Sequence, residues 1–93
     1  MIEQKAGRLA VTVPLVMANA RGLLEAGRQF LQPGDVVFDL GEVPSADSSA
    51  LAVMLGLIRS AEEKGVAVHF SNVPAGVRSL AELYGVAELI PLV

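Results

Sequence analysis

The chain has 93 residues, 53% of them hydrophobic but only 4% aromatic, with 7 Lys+Arg against 10 Asp+Glu and a formal net charge of -3. That length makes one domain, residues 1–93, and surface scaling leaves roughly 5,000 Å² exposed of about 14,000 Å² in the extended chain, so one modest core forms unaided. Zero Cys and one His exclude disulfides, Cys nucleophiles and His-cluster metal sites, and an acidic balance without a Lys/Arg run argues against a nucleic-acid partner.

Ile2 to Val13 reads as a hairpin, an Ile2–Lys5 arm, an Ala6-Gly7 turn and then Leu9, Val11 and Val13 alternating with polar or small residues. Pro14 ends it, because proline cannot donate to a ladder. From Val16 to Leu31, Met17, Ala20, Leu23, Leu24, Phe30 and Leu31 recur at helical spacing and predict one buried face. Pro33-Gly34 breaks this helix, Asp35–Leu40 is a short strand bracketed by acids, and a loop punctuated by Pro44 follows. Asp47 opens a second helix that runs to Lys64 and stops at Gly65. Val66, Val68 and Phe70 share one side of the next strand, with Ala67 and His69 on the other. Pro74–Tyr84 predicts a third helix with Val77, Leu80, Ala81 and Tyr84 inward, and Leu89-Ile90 is a candidate edge strand. The order β-β-α-β-α-β-α implies right-handed crossovers and an α/β fold with a mixed, mostly parallel central sheet, an N-terminal hairpin and three helices.

The high apolar fraction does not come from a membrane span. The longest apolar stretch, Ala50–Ile58, has nine residues, about half of what a spanning helix needs. Lys5 and Arg8 ahead of Leu9–Met17 and Ala18-Asn19-Ala20 have the outline of a secretory signal. Glu3 in the basic region, Thr12 and Pro14 in the apolar one, and a cut that would fall inside the first helix argue against it. The expectation is a whole, cytoplasmic chain.

The second helix carries the excess. Leu51, Met54, Leu55, Ile58 and Ala61 form the stripe expected against the sheet, yet the other side, Ser49, Ala52, Val53, Gly56, Leu57 and Ser60, is not polar either. Two readings stay open: an outside partner covers that face, or the first or third helix leans over it. Gly in mid-helix costs about 1 kcal/mol relative to Ala, which asks for a reason at Gly56. At the start of the helix, Asp47 is a strong N-cap whose carboxylate is placed to accept the Ser49 or Ala50 amide. Ser48 then stands where free amides favour an added phosphate, as a docking contact or a phosphorylation switch, although first-turn serines are common.

Val36-Val37-Phe38-Asp39-Leu40, Val43 and Asp47-Ser48-Ser49-Ala50-Leu51-Ala52 resemble the signature of STAS domains, the fold of anti-sigma-factor antagonists. Gly7, Leu9, Pro14–Ala20, Asn72-Val73-Pro74 and Leu80–Val86 extend the resemblance over nearly the whole chain. It is most similar to the MlaB-type branch, small cytoplasmic subunits of bacterial phospholipid ABC transporters. The resemblance implies a non-catalytic subunit without cofactor that binds the Mla-type ATPase subunit, and through it the permease, and supports outer-membrane lipid asymmetry. It implies that Ser48 is the key hydroxyl, phosphorylated in sigma-regulatory members and an interface residue in transporter members. Asp47 matches the acid before it, and Ala50 departs from the glycine many members have. An end at Val93 and the short first strand point to the transporter branch. The expected partner surface is Asp47, Ser48, Ser49, Ala52, Val53, Gly56, Leu57 and Ser60, with Tyr84 from the third helix. The alternative is an antagonist regulated by phosphorylation at Ser48.

Other chemistry is poorly supported. Asp35, Asp39, Glu42 and Asp47 lack the spacing of a cation loop and read as solvated acids. The glycines form neither GxxxxGK[ST] nor GxGxxG, which argues against an ATPase. His69 has no patterned acid or serine partner, and Arg78 and Glu82 have the spacing of a helix-surface pair.

Overall fold

Ala6 and Gly7 turn the chain with φ of 49° and 78°, the doubly positive geometry whose twist matches a two-residue hairpin. They join β1 (Ile2–Lys5) to β2 (Arg8–Val11). The computed structural model describes residues 1–93 and continues with α1 (Met17–Arg28), β3 (Asp35–Asp39), α2 (Ser49–Lys64), β4 (Ala67–Ser71), α3 (Ala75–Leu83) and a 3-10 turn, Ala87–Leu89. The sheet order is β1-β2-β3-β4. The first pair is antiparallel and the other two parallel, as the helical crossovers require.

One face of the sheet holds the core. Leu9 stands opposite Phe38 and Phe38 opposite Phe70, and the two rings stack with centroids 6.0 Å apart. Buried residues of all three helices join them in a single cluster that includes Leu23, Met54, Leu57, Val77 and Ala81. The other face carries Ala10, Asp39 and Ser71 in one row, and Lys5 at the end of β1 pairs with Glu42 in the loop after β3 at 3.0 Å. The folded chain exposes 5251 Å², close to the expectation from its size, so the core is full-sized without outside help.

The structure corrects several local expectations. β2 stops at Val11, and the hairpin ends with the Thr12 N–H donating to the Met1 carbonyl at 2.8 Å. Beyond Pro14, Leu15 leaves the sheet to form an isolated parallel bridge with Ala46. α1 is shorter than its apolar pattern, and Met17, expected inward, is 76% exposed. Tyr84 is exposed too, because α3 ends at Leu83 and leaves the tyrosine as its C-cap. α2 ends where expected, at Gly65 with φ of 69°, a left-handed cap that glycine adopts without strain.

The C-terminal segment does pair with β4, but through residues 91–93 rather than Leu89-Ile90. The Phe70 N–H donates to the Pro91 carbonyl at 2.9 Å and the Val93 N–H to the Phe70 carbonyl at 3.0 Å. One step back along this parallel ladder, the N–H owed to the Val68 carbonyl would come from residue 91. Proline has none, so the ladder stops after a single bridge.

The largest correction concerns α2. Val53, Leu57 and Ser60, expected on an uncovered outer face, are 5%, 3% and 7% exposed. α1 covers them. A Cβ on Gly27 of α1 would lie 2.7 Å from Leu57 Cδ2, and a Cβ on Gly56 of α2 would lie 2.9 Å from Leu24 Cδ1. Each helix thus offers a glycine to a leucine of the other. Arg28 Nε closes the far end of the contact by donating to Ser60 Oγ at 2.9 Å. The helices approach closely because both lack a side chain at the crossing.

Candidate functional site

The loops after β2 and β3 are tied together before either helix begins. The Leu15 N–H donates to the Ser45 carbonyl at 2.9 Å, and the Asp47 N–H donates to the Leu15 carbonyl at 3.0 Å. The Leu15 side chain, 2% exposed, is fixed in the core beneath them. Asn19 Nδ2 donates back to the Pro14 carbonyl at 2.9 Å and holds the turn that leads into α1.

Asp47 joins the two helix starts. Its Oδ1 accepts the Ser49 N–H at 2.8 Å and the Ser49 hydroxyl, while its Oδ2 accepts the Met17 N–H at 3.1 Å. One carboxylate therefore satisfies free amides of both α1 and α2. The Ser49 hydroxyl, then the Ser49 amide and then the Met17 amide hold the Asp47 carboxyl below the usual carboxylate range. Asp39 is lowered similarly, first by the Gly41 N–H and also by Asn72 Nδ2.

Ser48 is left free. Its backbone is already helical, with φ of −63° and ψ of −19°, and its hydroxyl caps nothing. Ser49 turns its hydroxyl to Asp47, so of the two serines only Ser48 presents an unoccupied hydroxyl at the surface. Met17, whose amide the same Asp47 carboxylate holds, is exposed. Periodicity assigned Met17 to the core and missed it. The available signal was its place just after Pro14, in the first turn of a helix whose buried face begins later.

Of the sequence-derived site residues, Asp47, Ser48 and Ala52 lie exposed at this surface, and Ser49 is half-buried in its support. Gly56 is half-buried against Leu24, and Val53, Leu57 and Ser60 lie under α1. Tyr84 stands at the end of α3 with exposed Leu83 and Leu89 near it in sequence, and no hydrogen bond joins it to Asp47 or Ser48. The acids of the loops do not gather: Glu42 pairs with Lys5, Asp39 with Gly41 and Asn72, and Asp47 with the helix starts. No helix is long and apolar enough to cross a membrane.

The family described as "Mlab, STAS domain" matches residues 2–92. The chain belongs to this STAS family. Its fold is that of an anti-sigma-factor antagonist (STAS) domain protein from Planctomyces limnophilus, with a TM-score of 0.71 and 19% identity over 99% of this chain and 86% of that one. SpoIIAA, an anti-sigma factor antagonist solved in its unphosphorylated form, superposes with a TM-score of 0.72 at 13% identity, over 100% and 86% of the two chains. The murine Solute Carrier 26 family member A9 anion transporter contains the same fold, at a TM-score of 0.71 and 20% identity over 92% of this chain but 15% of the transporter. No curated protein matches the chain by sequence. The STAS fold is thus shared by antagonists that act on regulators and by domains carried on transporters.

The lowered carboxylates of Asp47 and Asp39 contribute to the acid response of this STAS domain. A carboxyl depressed in the folded state adds stability above its unfolded value, near 3.9, and that stability is lost as pH falls toward the folded value. The melting temperature is therefore expected to fall below about pH 4, and Asp47→Asn and Asp39→Asn should each make the fall shallower in a thermal-melt pH series. Slopes identical to the unsubstituted chain would show that neither carboxylate is coupled to folding.

Proposed function

We propose that this STAS domain is a non-catalytic, cytoplasmic accessory subunit of a bacterial Mla-type phospholipid ABC transporter, peripheral to the inner-membrane complex. It binds the ATPase subunit, contacts the permease indirectly, and supports assembly and activity in outer-membrane lipid asymmetry. The observation that carries the reading is the free Ser48 hydroxyl on a pair of helix starts locked by Asp47, with Met17, the α1 residue whose amide Asp47 holds, 76% exposed. The family description supports the transporter branch. The docking surface is Asp47, Ser48, Ser49 and Ala52, with Gly56 at its margin and Met17 as its apolar anchor. Tyr84 is a separate contact. Val53, Leu57 and Ser60 act by holding α1 in place.

Affinity capture of the tagged chain from its own cells tests this reading. The expected catch is a transporter ATPase with its permease. Ser48→Asp places a second negative charge next to Asp47 in a desolvated contact and should cut capture at least about tenfold, a change of about 1.4 kcal/mol. Ser48→Thr should retain it. Met17→Gln forfeits the burial of an apolar side chain, about 1.5–3 kcal/mol, and should weaken capture by roughly tenfold or more. The melting temperature of each variant should barely move, because the substituted side chains are exposed. Undiminished capture by Ser48→Asp and Met17→Gln would place the interface elsewhere.

The second reading, an antagonist switched by phosphorylation, is favoured by one feature. Ser48 presents its unbonded hydroxyl at the start of a 16-residue helix, where the helix dipole favours added negative charge. That reading predicts phosphate at Ser48 in protein purified from its cells and an anti-sigma kinase as the sole captured partner. Either finding in place of an ATPase would overturn the transporter assignment.

A further inference from the structure

We draw no further inference here: the strongest candidate, the apolar cavity of about 80 Å³ between α3 and the C-terminal segment, lined by Val77, Ala81, Ile90 and Leu92 with Arg78 and Glu82 among its walls, is an unpartnered apolar surface, and nothing in the structure shows what covers it.

Discussion

Phe38→Ala is expected to remove about 3–5 kcal/mol of unfolding free energy, from a total of roughly 5–14 kcal/mol for a chain of this length. Phe38 is fully buried and stands between Leu9 and Phe70 in the sheet register, so truncation opens a cavity that three strands border. Leu15, Leu23, Met54 and Leu57 pack around the same point from the loop and the two long helices. The side chains that would have to collapse into the space are anchored on separate elements, which keeps the cost near the upper half of the range. At 4–8 °C per kcal/mol for a domain of this size, the melting temperature should fall by roughly 12–40 °C. Phe38→Leu keeps most of the volume and should cost much less. A chemical-denaturation series in which Phe38→Ala lost under 1 kcal/mol would show that the ring is not the centre of the core.

Gly56→Leu is expected to destabilise the domain by about 1–3 kcal/mol, the usual cost of overpacking, and Gly27→Leu by at least as much. The two glycines differ in what they meet. Gly27 faces Leu57, which is 3% exposed and has nowhere to go. Gly56 faces the terminal carbons of Leu24, which is half-buried and free to swing outward. Gly56→Ala should therefore come out near neutral, its contact strain offset by the roughly 1 kcal/mol that alanine gains over glycine in a helix. Gly27→Ala should remain destabilising despite the same gain. Thermal melts of the four variants check the order. If Gly56→Leu melted like the unsubstituted chain, α1 would not cover this part of α2, and the sequence expectation of an open face would return. An unchanged melt for Gly27→Leu would likewise count against the crossing seen here.

The element order was legible because each strand and helix carries its own period, and punctuation by Pro14, Pro33-Gly34, Gly65 and Gly85 separates them. The Asp47 cap was legible for the same reason: it depends on residues one or two positions apart, and its carboxylate does accept the Ser49 amide. What covers α2 was not. A helical wheel separates two sides of a helix, but α2 has neighbours on three, with the sheet beneath, α1 beside it and α3 across. For Val53, Leu57 and Ser60 the pattern left two covers open, an outside partner or a neighbouring helix, and only the crossing of α1 over Leu57 and Ser60 decides between them. Met17 and Tyr84 failed at helix ends, where side chains keep the spacing of the buried face after the helix has run past the core. The second oxygen of Asp47, which reaches Met17 from 30 residues away, had no local signature.

Pro91 has a consequence for crowded assemblies. A small sheet with exposed edges is a template on which identical chains stack, each new strand pairing with the last. β1 is short and ends in charge at Glu3 and Lys5, which discourages such pairing. β4 is apolar at Val68 and Phe70 and would be the more dangerous side. The C-terminal segment occupies the Phe70 step, and Pro91, which has no N–H, cannot extend the ladder to the next one. Copies of the domain that meet at high concentration then find no free ladder at the Phe70 step on which to add a strand.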